Sequence, residues 1–332
     1  MFKGKKILIT GGTGSLGYHL TKRLLKMNVK SIRIFSRDEW KQTQMLEQLN
    51  DSRLRFLIGD VRDKERLSRA MEGVDIVVHA AALKHVPIAE YNAFEAIKTN
   101  VVGSQNVVES CLEHNIEKAI AIGTDKAASP YNTYGATKLL MEKIFTSAKF
   151  LKGEQKTKFL TVRYGNVLGS RGSILPRFIE QIQNKNIITI TDPKMTRFNI
   201  TMNQAIDLIF RALEQGKGGE IFVPKLNAYT VETMKDAICE ILKKEPKIKK
   251  IPIRPGEKFH ETLISEEEAN IVFTTKDDYI IQNQGVSNII PKQEVSFSKA
   301  NLKSSYNSNT AKLLSTKELK NLIVKEGLLM DK

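Results

Sequence analysis

Within fifteen residues the chain places a carboxylic acid, two amines and a phenol: Thr124-Asp125-Lys126, then Tyr134 eight residues on, then Lys138 after four more. Lys138 falls one turn from Tyr134 on the same face of any helix carrying both. An ammonium there favours the phenolate of a tyrosine whose ordinary pKa is about 10. A Tyr-x-x-x-Lys pair by itself suits hydride transfer, with the phenol as proton acceptor. That chemistry has no use for a second amine beside a carboxylate, so Asp125-Lys126 points to a redox-assisted elimination. In isolation the pair would read as an ion pair at a strand end, contributing little to stability and nothing to catalysis.

Such groups need elements that present them together. Short apolar runs at 6–10, 31–35, 54–58, 75–79, 119–122 and 159–162 alternate with helix-length connections. This is the pattern of parallel strands joined by crossovers, and it predicts an α/β protein with a Rossmann, doubly wound sheet. Helical spacing of apolar residues runs from Phe94 to His114 and from Tyr131 to Ala148. Asp125-Lys126 then sit at the end of the fifth strand, where such sheets present their sites. After Gly169 the alternation becomes irregular and is punctuated by Pro176, Pro193, Pro224, Pro246, Pro252 and Pro255. The expected division is 1–168 for the dinucleotide-binding unit, with a return segment at 202–223, and 169–332 for a smaller α+β substrate unit. From about Gly285 the chain turns rich in Ser, Asn, Gln and Lys, and loose packing is expected. A final helix should follow Ser315-Thr-Lys-Glu318, a capping box ahead of Leu319, Leu322 and Ile323.

The first strand leads into Gly11-Gly12-Thr13-Gly14-Ser15-Leu16-Gly17 and then a helical pattern. Gly11, Gly14 and Gly17 permit a tight turn, close approach to a pyrophosphate, and helix-to-sheet packing, while Thr13, Ser15 and Leu16 lie on the turn and the helix start. The second strand ends Ser36-Arg37-Asp38. A hydroxyl and a guanidinium suit a ribose 2′-phosphate, which favours NADP over NAD; the alternative is that Arg37 faces solvent and Asp38 takes the ribose. Asp60-Val61 after the third strand fits the adenine edge, and Ala80-Ala81-Ala82 after the fourth allows close cofactor packing.

The 332 residues are 41% hydrophobic and 27% charged, ordinary for a globular protein of about two domains. The net charge of +15 is scattered, and its densest cluster, between Lys243 and Lys250, reads as a solvated link between a helix and a strand. A positive field of this kind serves an anionic, diphosphate-bearing substrate better than nucleic acid. Cys111 and Cys239 stand far apart without ligand spacing, so neither a metal site nor a disulfide is expected. No apolar run nears the ~20 residues of a membrane span, and MFKGKKILIT leads straight into a strand without a cleavage site. A cytoplasmic protein with no membrane partner is expected.

The motifs together resemble the extended short-chain dehydrogenase/reductases acting on nucleotide sugars. The match is closer to the inverting UDP-N-acetylglucosamine 4,6-dehydratases of flagellin-glycan and capsule pathways. Its carriers are GGTGSLG at 11–17, FSRDE at 35–39, IGDVRDKERL at 58–67, HAAALKHVPIAEYN at 79–92, KTN at 98–100, TDKA at 124–127, YGATK at 134–138, RYGNVLGSRGS at 163–173, MTRF at 195–198, GGEIFVPK at 218–225 and RPGEKFHE at 254–261. The resemblance implies that Tyr134 takes the C4 hydroxyl proton, Lys126 the C5 proton, and Asp125 protonates the departing C6 hydroxyl, with Thr124 on the reacting hydroxyl. It implies NADP held tightly and regenerated each turnover, and a homo-oligomer. Lys126 can act so only if its pKa falls, through desolvation or a cation such as Lys138.

On the substrate side, Arg197 and Arg254 suit a diphosphate, because a guanidinium grips two oxygens at once. Glu257 can accept from ribose hydroxyls and Asn166 can donate to phosphates. Arg171 and Ser173 lie on the loop into the second unit, Lys84 faces the sugar and the cofactor ribose, and Asn100 orients backbone nearby. Asn199 stands where this type usually has Trp. A 4-epimerase or reductase of the same family, and an idle NADP-binding regulator, are the alternatives.

Overall fold

The computed structural model describes residues 1–170, 172–254, 256–282 and 297–329, so Arg171 lies outside the described residues. Strands β1 (Lys6–Thr10), β2 (Ser31–Ser36), β3 (Leu54–Ile58), β4 (Ile76–His79), β5 (Lys118–Ile122) and β6 (Lys158–Val162) fall where the apolar runs place them. They lie side by side in the order β3-β2-β1-β4-β5-β6, all parallel. Their runs are nearly unbroken rather than alternating because helices cover both faces, and every residue of β4 is buried. The order reverses between β1 and β4, and at such a point the carboxyl ends of the strands open a crevice.

The sheet runs past its sixth strand. Glu220–Pro224 pairs parallel with β6, then Asp278–Gln282, Val272–Thr274 and Ser298–Lys299 add antiparallel. The helix Met202–Gln215, started by a Thr201/Gln204 capping box, lies by the first helix, Ser15–Leu25, and Arg23 binds Asp207 across them at 2.8 Å. A separate core, including Leu175, Phe178, Ile188, Met234 and Ile323, joins helices of the second half.

Three local expectations change. The helix from Phe94 to His114 is interrupted by a wide π-turn, Lys98–Val102, between Ala93–Ile97 and Gly103–Glu113. The lysine cluster is partly a strand itself: Lys247–Lys250 pairs with Ile187–Ile190 while all four of its residues stay exposed. The polar tail packs where Tyr306 and Ser308 find buried partners. Ser308 is wholly buried and bonded to Thr196, and the Tyr306 hydroxyl bridges the N–H and carbonyl of Leu226. Residues 283–296 of that tail lie outside the described residues. The last helix, Thr316–Lys325, begins with the Ser315/Glu318 capping box.

Candidate active site

At the cofactor end, Gly11 has φ +66°, and a Cβ there would lie 2.8 Å from the Ala81 backbone. Only glycine lets the turn pass so near the loop after β4. A Cβ on Gly17 would overlap the Gly12 backbone, which fixes how the helix meets the sheet. The helix Ser15–Leu25 starts at Gly14 without a side-chain cap, so its first amides, at Ser15 and Leu16, have no helical acceptors. The turn therefore fits an anionic pyrophosphate.

At the end of β2, the buried Ser36 hydroxyl accepts from Gln42 Nε2 at 3.0 Å. Asp38 caps the next helix, accepting from the Lys41 N–H at 3.0 Å and pairing with its ammonium. Arg37 is exposed, 3.7 Å from Asp60, whose carboxylate Arg62 grips through three nitrogens. The Val61 side chain is buried in the core, leaving only its main chain to face a cofactor. Ala80 and Ala81 are tied to Thr10 by N–H donations of 3.1 and 3.3 Å, Ala82 follows half-buried, and Lys84 is exposed beyond it. Asn100, in the π-turn, spends its amide inside the protein. It accepts from Leu83 N (2.8 Å) and donates to Leu83 O (2.9 Å) and Thr137 Oγ1 (3.0 Å), pinning this loop to the Tyr134 helix.

That helix, Thr133–Leu151, is capped by Asn132, whose side chain accepts from Gly135 N at 2.8 Å. Asp125 and Lys126 form a short 3₁₀ turn just beyond β5, and Gly135 packs onto the Lys126 carbonyl. Asp125 is 1% exposed; its Oδ1 accepts from Thr124 Oγ1 and Lys126 Nζ, both at 2.9 Å, and its Oδ2 has no partner. Lys126 Nζ also lies 3.4 Å from Asn166 Oδ1 and 3.5 Å from Glu261 Oε1.

The charges do not follow the expected directions. Burial alone would lower the Lys126 pKa, but the carboxylates of Asp125 and Glu261 outweigh it and raise it above the usual lysine value. Lys138 is no neighbouring cation for it: its Nζ donates to Met141 Sδ at 2.8 Å, and burial pulls Lys138 down to about 8. Burial also pushes Tyr134 up to about 12, against the opposing pull of Lys126 and a hydrogen bond with Thr124. The protein alone thus holds Tyr134 as a phenol and Lys126 as an ammonium.

Of the residues expected on the substrate side, Arg197 is buried, donating to the carbonyls of Thr196 (2.8 Å) and Phe259 (3.1 Å) and to Glu257 Oε1 (3.3 Å). Glu257 also accepts from the Arg254 N–H at 3.3 Å, while Arg254 itself is exposed. Ser173 caps the helix Ile174–Lys185, with its hydroxyl buried and unpaired. Asn199 is buried, donating its N–H to Asn227 O at 2.8 Å. Glu261 is the residue that sequence reasoning missed. It lies within the quoted 254–261 motif, and its only further signal is a carboxylate directly ahead of the short apolar strand Thr262–Ile264. Cys111 and Cys239 are both free, and among the described residues no group of three ligands can hold a metal. No described helix is long and apolar enough to cross a membrane.

A Rossmann sheet, a glycine turn at its switch point and a Tyr-x-x-x-Lys helix beside it define an extended short-chain dehydrogenase/reductase. Residues 7–283 match the model of the polysaccharide biosynthesis protein family, and the chain belongs to that family. An uncharacterized membrane protein of Methanocaldococcus jannaschii is 45% identical over 97% of this chain and 96% of its own. The inverting UDP-N-acetylglucosamine 4,6-dehydratase of Campylobacter jejuni is 48% identical over 85% of this chain and 84% of its own. A UDP-glucose 4-epimerase of Rickettsia conorii is 42% identical over 98% and 96%. Among solved structures, Pen from Bacillus thuringiensis superposes with a TM-score of 0.90 at 39% identity, over 98% of this chain and 99% of that one. The dTDP-glucose 4,6-dehydratase DesIV of Streptomyces venezuelae, solved with NAD, shares the fold with a TM-score of 0.69 at 20% identity, over 76% and 86%.

Proposed function

We propose that the chain is a UDP-N-acetylglucosamine 4,6-dehydratase of the C5-inverting kind, acting in the cytoplasm as a homo-oligomer to make a 4-keto-6-deoxy sugar for surface glycans. The observation that carries this reading is the Asp125-Lys126 pair, turned inward behind β5 and linked through Thr124 to Tyr134. An epimerase needs the tyrosine and Lys138 but has no use for that pair. The 48% identity with a dehydratase of this name supports the same choice.

The glycine turn at Gly11, Thr13 and Gly14 would hold a nicotinamide dinucleotide, which would supply hydride exchange with C4 and C6 of the sugar. Tyr134 receives the C4 hydroxyl proton as a phenolate, the form that the charge of Lys126 favours against burial and that the positive charge of a bound nicotinamide would favour further, and Thr124 holds that hydroxyl. The C4 ketone acidifies C5, whose proton Lys126 accepts after its ammonium has passed its own proton to Asp125, 2.9 Å away. Asp125 delivers the proton received from Lys126 to the departing C6 hydroxyl, which leaves as water, and C5 regains a proton as hydride returns to C6; Asp125 Oδ2 is the oxygen without a partner in the protein. Arg254, Ser173, Asn166 and Lys84 are the groups we assign to the UDP-sugar, together with Arg171. Arg197 and Glu257 would join them by exchanging their present contacts. NADP is favoured over NAD because Asp38 is committed to its helix cap, leaving the exposed Arg37 as the side chain that would meet a ribose 2′-phosphate.

Incubation with UDP-N-acetylglucosamine in deuterated water, followed by NMR, tests the assignment. Deuterium at C5 together with a C6 methyl signal is expected. A C4 epimer without a methyl would instead establish the epimerase reading, to which the 42% identical Rickettsia protein lends its name.

A further inference from the structure

Lys126 is held by two carboxylates, and the proposed reaction uses only Asp125. The second, Glu261, comes from the far half of the chain, at the head of the strand Thr262–Ile264. Its main chain is clamped, with its N–H donating to Ser308 Oγ at 2.9 Å and its carbonyl accepting from Ser308 N at 2.8 Å. Its side chain is almost fully buried, with Oε1 3.5 Å from Lys126 Nζ and 3.8 Å from Arg197 Nε, while Oε2 has no partner. A buried carboxylate left with an unsatisfied oxygen is costly, and structure alone gives little reason to keep one. The same segment grips the catalytic turn at two further points. Lys258 Nζ donates to the carbonyls of Ala128 (3.0 Å) and Ser129 (2.6 Å), and Asn132 Nδ2 donates to Gly256 O at 2.9 Å.

We propose that Glu261 is a positioning residue that holds Lys126 charged and aimed at Asp125, so that the amine becomes a base only when the Glu261 contact weakens. The inference deepens the dehydratase reading and rests on it for its catalytic meaning. The groups facing Lys126 are Asp125 on its own turn, Glu261, Tyr134 from the helix, and Lys258 and Tyr229 from the second half, with Arg197 behind Glu261. Removing one carboxylate while keeping its shape raises the fraction of free amine at a given pH.

The test uses the full chain with its dinucleotide and no sugar. Each lysine is reductively methylated with formaldehyde and cyanoborohydride at about pH 9 and its rate read by peptide mass spectrometry. In Glu261→Gln the Lys126 rate is expected to rise about tenfold, the equivalent of one pKa unit, with the Lys138 rate unchanged. Glu261→Asp, which keeps the charge but draws it back, should raise it less, and it decides the matter if the glutamine variant does not fold. An unchanged Lys126 rate overturns the proposal, and so does a rise shared with Lys138, which marks mere loosening. Because labelling needs no sugar, an enzyme inert in the deuterium experiment would sink the dehydratase reading alone.

Discussion

Lys126 and Lys138 are both lysines withdrawn from solvent beside carboxylates, and they are driven in opposite directions. Two carboxylates crowd Lys126, whereas burial outweighs the single Glu142 near Lys138 and brings it to about 8. Between pH 8 and 10.5 the unfolded chain binds a proton that the native Lys138 does not, so stability climbs with pH across that window. At pH 7 the native state carries a penalty of about 3 kcal/mol from this group. Lys138→Met is therefore expected to lose activity yet gain about 1–3 kcal/mol at pH 7, with a flatter stability curve from pH 8 to 10.5, as read by urea denaturation. An unchanged curve would mean that Lys138 is not the group responsible. Lys126→Met separates the two lysines by function. It should abolish C5 deuteration and methyl formation, about a thousandfold or more, while dinucleotide binding by titration stays within about twofold. Full dehydratase activity in that variant would remove Lys126 from the mechanism.

The site depends on how the Tyr134 helix is seated on the turn after β5. Gly135 touches the Lys126 carbonyl so closely that no side chain fits between them. Gly135→Ala must push the turn Asp125–Ala127 away from Tyr134, costing about 1–3 kcal/mol in stability and about a hundredfold in turnover. Unfolding curves and single-turnover deuteration measure the two effects separately, and wild-type turnover in a folded variant would show that the turn can slide without harm. This seating was only half legible in the chain. The six parallel strands announce themselves because each is a short apolar run, and all but the edge strand β3 are largely buried, while the place of the Asp125-Lys126 pair follows from the fifth. The antiparallel additions are two to five residues long, too short for any period to be read. The π-turn at Lys98–Val102 keeps a helical apolar pattern and so hides within it, although it carries Asn100. Glu261 stays hidden because no spacing rule joins residues 135 positions apart in sequence to Lys126.

Across the whole molecule, one buried cation ties the Tyr134 helix to the second half. Arg163, at the end of β6, is fully buried and binds Glu142 of the Tyr134 helix through two nitrogens, at 3.1 and 2.6 Å. It also binds Glu268 at 2.7 and 2.9 Å and the Leu263 carbonyl at 2.9 Å, both beyond Glu261. The same guanidinium thus fixes the helix bearing Tyr134 and the segment bearing Glu261. Arg163→Met leaves Glu142 buried without its hydrogen-bonded guanidinium and with only Lys138 as a nearby cation, and a loss of about 3–5 kcal/mol is expected by urea denaturation at pH 8. The loss carries a pH signature. Burial already raises Glu142 against the opposing pull of Arg163, and removing that pull raises it further. The native variant then binds a proton that the unfolded chain releases above its ordinary carboxyl pKa, so its stability falls as pH rises and recovers towards about pH 5. Adding Glu142→Gln to Arg163→Met removes the buried charge, and the double variant should recover stability at pH 8 and lose the pH slope. A single variant within about 1 kcal/mol of wild type, or a double variant no more stable than the single, would show that the two halves are held together by other contacts.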